Sequence, residues 1–218
     1  MLSQAVEDYL KAIYKLQDEG WVSTTDLSAE MGVSPASTTN MVKRLSQLGL
    51  VNYTSYKGVR LSETGEKIAL EIIRHHRLLE TYLREIMGYD WEKMHNEAEH
   101  LEHHISEEFE QRLDQMLGYP THDPHGDPIP AKDGSIVTID SEPIINCPTG
   151  IELTIRRLSD ASVAKLRELE SVGVLPGTNV IVVKENDVHG GLSLKRDAVH
   201  FELAPHLTPH VFASPSGS

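Results

Sequence analysis

The dipeptide Ser34-Pro35 restricts the fold of this chain more than any other feature, because it is a strong start signal for a helix. Serine can cap the free amides of a helix N-terminus, and proline fits the first helical position, where no backbone donor is needed. The helix that begins here ends near Leu48-Gly49. It is therefore short, and small polar residues fill its first turns.

Further helical patterns precede this helix. Apolar residues at helical spacing predict a helix over residues 6–16, with Gly20 beyond its end. A second helix can be capped by Ser23 or Thr24 and is interrupted at Gly32. The helix that starts at Ser34-Pro35 is therefore the third of a closely spaced set.

Short segments of alternating apolar residues follow at residues 50–53 and 59–61, on either side of residues 55–58. This pattern predicts a hairpin. Three helices followed by a hairpin are the element order of a winged helix-turn-helix. We expect this domain to occupy residues 1–63.

A winged helix-turn-helix that binds DNA presents short polar side chains to base edges and basic side chains to phosphates. The candidate DNA-contacting residues are Ser34, Pro35, Ser37, Thr38, Thr39, Asn40, Lys43, Arg44, Tyr56 and Lys57. Because this region carries little net positive charge, we expect two copies of the chain to share a two-fold, double-stranded operator. The alternative is a winged-helix module that makes protein contacts instead.

Negative charge is concentrated in the middle of the chain, whose formal net charge is −13 overall. Residues 1–70 carry 7 Lys+Arg against 8 Asp+Glu, residues 71–140 carry 6 against 16, and residues 141–218 carry 7 against 9. The middle segment also holds eight of the 12 histidines. Acidic and imidazole groups therefore lie together, away from the segment expected to bind DNA.

A proline-rich stretch divides the rest of the chain. Helical spacing predicts long helices over residues 64–87 and 91–117, and the prolines of residues 118–150 predict an irregular linker. We expect these segments to form a helical domain with its linker over residues 64–140.

The C-terminal part has the pattern of a small β-barrel. Apolar segments rich in β-branched residues begin at residue 151 and surround one short helix at residues 161–170. Residues 214–218 are expected to form a flexible tail. The chain is thus predicted to be mainly α with a smaller β part, the barrel occupying residues 141–218.

The composition excludes several classes of protein. No run approaches the roughly 18 apolar residues of a membrane span, and no signal peptide follows Met1, so we expect a cytoplasmic protein with no membrane partner. The single cysteine, Cys147, excludes an internal disulfide and any multi-thiolate metal site. The histidine spacing around residue 100 fits neither zinc-hydrolase motif, so we expect no enzyme activity and no small organic substrate.

Helical spacing brings metal-ligand residue types together on the predicted long helices. Glu99, Glu102 and His103 share one helix face, and His76 and Glu80 share another. Carboxylate and imidazole ligands without thiolate suit Mn(II) and Fe(II). The alternative is a solvated acidic face, which is the usual role of charged residues on a helix.

Several segments together resemble the diphtheria toxin repressor and manganese transport regulator family. They are residues 7–14, the Ser34-Pro35 helix, Gly65, residues 76–80 and residues 97–103. The resemblance covers nearly the whole chain, including a C-terminal domain similar to the SH3-like barrels of iron-transport accessory proteins. It implies a homodimeric, metal-dependent repressor of metal-uptake genes with a helical dimerisation domain.

The resemblance also implies metal ligands. The primary site would consist of Asp8, Glu99, Glu102 and His103, with His76 nearby. A second site would use Glu80, Asp123, His125 and Asp160, as in three-domain manganese members. In iron-sensing members His76, Glu80 and His95 form an ancillary site instead, so both arrangements stay open.

The residue types at these positions favour Mn(II). Iron-sensing members have Met where Asp8 stands and Cys where Glu99 stands, whereas this chain has hard oxygen ligands at both. Lys11 stands where two-domain manganese regulators supply a carboxylate, which argues against their closely spaced pair of ions. An Fe(II)-responsive repressor and a metal-independent winged-helix interaction module are the alternatives. Other divalent transition metals are expected to substitute in vitro.

Overall fold

The computed structural model describes residues 2–17, 20–138, 140–159, 162–186 and 191–217. Its N-terminal part has the predicted winged helix-turn-helix order. The elements are α1 (Gln4–Leu16), α2 (Thr24–Glu30), α3 (Pro35–Gln47), β1 (Val51–Thr54) and β2 (Gly58–Leu61). The strands β1 and β2 pair antiparallel, as expected for a hairpin.

Local contacts explain why these elements form. The Ser34 side chain caps α3 by accepting a hydrogen bond from the Ser37 amide at 3.2 Å. Gly58 begins β2 with a φ of 107°, and a Cβ at this position would lie 2.1 Å from the Val22 carbonyl oxygen. Only glycine allows this approach, which lets the hairpin pack against the segment before α2.

Helix α4 (Glu63–Glu85) connects the winged domain to the middle of the molecule. A Cβ at Gly65 would lie 2.0 Å from the Leu50 carbonyl oxygen, so the first turn of α4 packs directly on the backbone that follows α3. Ala69 belongs to the apolar core of the winged domain, whereas Leu78 and Leu83 belong to a second core. The two halves of α4 therefore serve different domains.

The single helix predicted over residues 91–117 is wrong. The structure has α5 (Trp91–Leu101) and α6 (Glu107–Met116), separated by a turn. The Ser106 side chain caps α6 by accepting from the Phe109 amide at 3.2 Å, and the acidic first turn of α6 suits the positive end of a helix. Glu102 and His103 therefore lie in the connection between two helices.

The predicted linker is irregular between α6 and β3, but parts of it are buried. Asp123 and His125 are each only 7% exposed, and Ile129 packs into the second apolar core. The segment folds back on itself through a bridge between His122 and Pro128. It is a packed loop, so composition alone understated its order.

The C-terminal part is an antiparallel sheet with one helix. Its elements are β3 (Glu142–Pro143), β4 (Glu152–Leu158), α7 (Val163–Ser171), β5 (Asn179–Asn186), β6 (Gly191–Arg196), β7 (Val199–Leu203) and β8 (Val211–Pro215). Among the described residues the strand order is β3-β8-β4-β5-β6-β7. The flexible tail predicted from residue 214 is wrong, because β8 extends to Pro215 and pairs with β4.

The barrel packs directly on the middle domain. Trp91 of α5 and Leu166 of α7 lie in the same apolar core. The Trp91 indole donates to Glu170 Oε2 at 3.0 Å, and Arg84 pairs with the same carboxylate. None of the helices within the described residues is long and apolar enough to span a membrane.

Candidate metal centre and DNA interface

The first group of metal-ligand side chains joins α1 to the end of α5. It consists of Asp8, Glu102 and His103, which we call the primary cluster. His103 Nε2 lies 2.9 Å from Asp8 Oδ1 and 3.3 Å from Glu102 Oε1. The Glu102 side chain is fully buried, and that of His103 is 2% exposed.

One buried nitrogen of the primary cluster, His103 Nε2, has no hydrogen-bond partner among the described residues. The other ring nitrogen, Nδ1, lies 2.7 Å from Glu7 Oε2 and must donate, because an ionised carboxylate can only accept. In the tautomer that donates from Nδ1 to Glu7, the Nε2 lone pair lies between two carboxylates, an arrangement that fits a divalent cation.

Burial and neighbouring charges both affect the Asp8 carboxylate of the primary cluster. Burial raises the pKa of Asp8 above its ordinary value; His103 opposes this shift, and the neighbouring carboxylates add to it. The carboxylates thus carry unfavourable repulsion that a positive ion would relieve.

A second group shares Glu102 with the first, and we call it the Lys11 cluster: Lys11, His76, Glu99 and Glu102. The Lys11 ammonium donates to Glu99 Oε1 at 2.7 Å and lies 2.8 Å from both oxygens of Glu102. Burial acts to raise the pKa of Glu99, but the neighbouring Lys11 ammonium acts in the opposite direction. The pKa of Glu99 is therefore lower than its ordinary value. Glu99 therefore contacts Lys11, whereas Asp8, Glu102 and His103 lie close to one another.

A third group surrounds Glu80 of α4, and we call it the Glu80 cluster: Glu80, His76, His95, Asp123 and His125. Glu80 Oε1 lies 3.0 Å from both His76 Nε2 and His95 Nδ1. Glu80 Oε2 faces His125 Nδ1 at 3.6 Å, and Asp123 Oδ2 lies 3.8 Å from the same nitrogen. Each oxygen of Glu80 thus faces one of the two arrangements left open by the sequence.

His76 links the Glu80 and Lys11 clusters. Its Nδ1 lies 2.5 Å from Glu102 Oε2 and its Nε2 lies 3.0 Å from Glu80 Oε1. Burial acts to lower the pKa of His76, but these carboxylates outweigh it and raise the pKa to about 9. Burial likewise acts to raise the pKa of Glu80, yet His76 and His95 hold it well below its ordinary value.

The remaining residue predicted for the second site, Asp160, lies outside the described residues. Helix α7 of the barrel contributes to a cavity beside the Glu80 cluster. The rings of Trp91 and His125 lie 5.0 Å apart, and a cavity between the domains is bounded by Trp91, His95, His125 and Leu166. The cluster is therefore close to the barrel interface.

Sequence similarity agrees with this architecture. Residues 1–59 match the family described as Iron dependent repressor, N-terminal DNA binding domain. Residues 62–131 match Iron dependent repressor, metal binding and dimerisation domain, and residues 143–212 match the FeoA domain.

Individual relatives give the same result. The chain is 31% identical to the diphtheria toxin repressor of Corynebacterium efficiens, over 89% of this chain and 91% of that protein. The chain belongs to the diphtheria toxin repressor family. It is also 35% identical to the HTH-type transcriptional regulator MntR of Bacillus subtilis, over 55% of this chain and 84% of that protein. A solved manganese-dependent transcriptional repressor in complex with manganese has a TM-score of 0.86 and 34% identity, covering 96% of this chain and 99% of that one.

Membership of the diphtheria toxin repressor family confirms the predicted fold class and the general function. The chain is a metal-dependent, DNA-binding transcription regulator with a winged helix-turn-helix, a helical dimerisation domain and an SH3-like barrel. The relatives include proteins named for iron and for manganese, so the family does not fix the metal.

Most of the residues predicted to contact DNA have side chains exposed to solvent. They are Ser34, Pro35, Ser37, Asn40, Lys43, Arg44, Tyr56 and Lys57, and Thr39 is half-buried. Thr38 is wrong, because its side chain is fully buried and its hydroxyl lies 3.5 Å from that of Tyr9. It faces α1 because it lies one turn, four residues, before Val42 and so belongs to the helix's apolar stripe rather than to its outer face.

Sequence reasoning missed the role of Glu7, and it identified Lys11 only as a replacement for a carboxylate, without the contacts that the structure gives it. Glu7 orients His103, and Lys11 fills the space between carboxylates. Both pairings join residues about 90 positions apart in sequence, so local spacing carries no signal for them. Lys11, three residues after Asp8 on α1, is a hint only once Asp8 is suspected as a ligand.

Proposed function

We propose that this chain is a manganese-responsive repressor of metal-uptake genes that binds double-stranded operator DNA as a homodimer in the cytoplasm. The dimer would be formed through the domain that matches the family's metal-binding and dimerisation region. Two winged domains on a two-fold operator would supply the phosphate contacts that one domain lacks.

The unpaired His103 Nε2 is the observation that carries this proposal. It is buried between Asp8 of the DNA-binding domain and Glu102 of the dimerisation domain. These three residues would hold the ion, with Glu99 close to Glu102. When bound, the ion supplies positive charge that keeps the Asp8 carboxylate against Glu102 and His103.

The orientation of α1 is what connects this centre to DNA. Asp8 lies on α1, whose buried face packs in the same apolar core as Val42 and Leu45 of α3. A restraint on α1 relative to α5 is therefore also a restraint on α3. Operator affinity rises if the ion binds the DNA-competent orientation more tightly than the alternatives.

The ligand chemistry supports Mn(II) as the physiological ion. Asp8 and Glu102 in the primary cluster, with Glu99 beside it, provide hard oxygen donors, which suit Mn(II) better than thioether or thiolate does. The specific observation in favour of Fe(II) is the group of His76, Glu80 and His95, whose ligand atoms lie within 4.8 Å of one another. We keep an Fe(II)-responsive repressor as the second candidate.

The proposal is tested by selecting binding sites from random DNA duplexes with the full chain. Parallel selections would contain Mn(II), Fe(II) without oxygen, or a chelator. We expect a two-fold sequence motif to be enriched with Mn(II) and not with chelator. Equal enrichment with chelator would contradict metal dependence, and stronger enrichment with Fe(II) at equal free concentration would favour the second candidate.

Glu102→Gln is the matching variant, because it removes one charge at nearly constant size. We expect it to lose the Mn(II)-dependent enrichment. Glu108→Gln is the control, since the Glu108 side chain is 75% exposed and pairs with Arg112 one turn along α6.

A further inference from the structure

The Lys11 ammonium occupies a place in which the surrounding atoms are those of a cation site. Its nitrogen lies 2.7 Å from Glu99 Oε1, 2.8 Å from each Glu102 oxygen and 3.4 Å from His76 Nδ1. The Lys11 side chain is 7% exposed, so water does not replace these contacts. Burial of an ammonium is tolerated only because carboxylates surround it.

The same three neighbours could by themselves hold a divalent ion. His76, Glu99 and Glu102 each offer one ligand atom, and these atoms lie within 4.8 Å of one another. The Lys11 nitrogen lies close to all three. A second divalent ion could therefore enter this group only if the ammonium left it.

Charge balance leads to the same conclusion. The carboxylates of Asp8, Glu99 and Glu102 bring three negative charges to the two adjoining clusters, and Lys11 brings one positive charge. Lys11 therefore neutralises one carboxylate of this group before any ion is bound. Two divalent ions sharing Glu102 beside the ammonium would leave an excess of positive charge in a buried place.

We propose that Lys11 is a built-in cation that takes the position of a second divalent ion next to the primary cluster. The primary cluster consequently binds one ion per chain, and Glu102 is held in place before that ion arrives. The ammonium also ties α1 to α5 without metal. This inference rests on the proposed metal centre and concerns its stoichiometry.

The test is a Mn(II) titration of the full chain followed by electron paramagnetic resonance, in which free Mn(II) gives a signal that bound ions lose or alter. Lys11→Met removes the charge and keeps an apolar stem of similar length. We expect Lys11→Met to bind one more Mn(II) per chain than the wild type, with spin coupling between two ions that share Glu102. Lys15→Met is the matched control, because Lys15 is exposed one turn further along α1.

Equal Mn(II) counts in wild type and folded Lys11→Met would overturn the proposal. Spin-coupled Mn(II) pairs in the wild type would overturn it as well, and this measurement does not depend on the stability of any variant. Lys11→Arg keeps the charge and should keep the wild-type count. A wild type that binds no Mn(II) would reject the metal centre itself, which is a distinct result.

Discussion

At the scale of single residues, the hydrogen bond of His103 Nδ1 determines whether Nε2 can bind an ion. Glu7 accepts the Nδ1 proton at 2.7 Å and so fixes the tautomer in which Nε2 is free to bind an ion. Carboxylates that orient a ligand histidine in this way raise its basicity. Glu7 is therefore a positioning residue that need not touch the ion.

Replacing Glu7 tests this role. We expect Glu7→Ala to weaken Mn(II) binding about 10–100-fold, the usual effect of losing such a partner, without changing the number of ions bound. The amide oxygen of Glu7→Gln can still accept from His103 Nδ1, so its Mn(II) affinity should lie between those of the wild type and Glu7→Ala. Isothermal titration calorimetry measures both quantities, and an unchanged affinity in Glu7→Ala would show that Glu7 does not position His103.

Asp8 is the residue expected to set the choice of metal. Asp8→Met replaces a hard oxygen with a softer thioether, so the response should shift from Mn(II) toward Fe(II). The quantity to compare is the ratio of half-maximal Mn(II) and Fe(II) concentrations for operator binding, measured without oxygen. If that ratio stays the same, selectivity is set elsewhere.

At the scale of secondary-structure elements, α4 is attached to α6 by a buried ion network. Arg74 Nε donates to Glu110 Oε1 at 2.6 Å, and Arg74 Nη2 donates to Asp114 Oδ2 at 2.7 Å. The Arg74 and Glu110 side chains are 9% and 4% exposed. The network fixes α6 beside the helix that carries His76 and Glu80.

Removing one member of this pair should be costly. We expect Glu110→Ala to lower the free energy of unfolding by about 3–5 kcal/mol, because it leaves a buried guanidinium with Asp114 as its one remaining charged partner among the described residues. Urea unfolding monitored by circular dichroism measures the change. Glu108→Ala, two residues away and exposed, should change it by less than about 1 kcal/mol, and an equally small effect of Glu110→Ala would mean that the network does not stabilise α6.

Elements with strong local signals were predictable from the sequence, and those set by distant contacts were not. Ser34-Pro35 predicted the start of α3 correctly, because capping depends on adjacent residues. The break between α5 and α6 was missed, since apolar spacing continues across it and the Ser106 cap was not weighed. Family resemblance groups Asp8, Glu102 and His103 and singles out Lys11. The role of Glu7 and the partners of Lys11 required the tertiary structure.

At the scale of the whole molecule, the barrel is joined to the middle domain by an apolar core. Trp91, Met94 and Leu166 contribute to that core, and their side chains are apolar. A metal in the Glu80 cluster would add a contact to the packed loop that carries Asp123 and His125. The two candidate arrangements predict different protected segments.

Hydrogen exchange with and without Mn(II) distinguishes these arrangements. We expect Mn(II) to slow exchange over residues 121–130 in the wild type and not in His125→Ala, if Glu80 Oε2 faces the ion. His95→Ala is the matched variant, since it removes a histidine from the other Glu80 oxygen. Loss of protection in His95→Ala alone would assign the ion to the group of His76, Glu80 and His95.

The central claim is that an ion held between α1 and the end of α5 increases operator affinity. Its most direct test is fluorescence anisotropy of a selected operator duplex, with and without Mn(II), for the wild type, Asp8→Asn and the exposed control Asp133→Asn. We predict a Mn(II)-dependent gain of about 5–150-fold in the wild type and control, and almost none in folded Asp8→Asn. A full gain in Asp8→Asn would contradict the account.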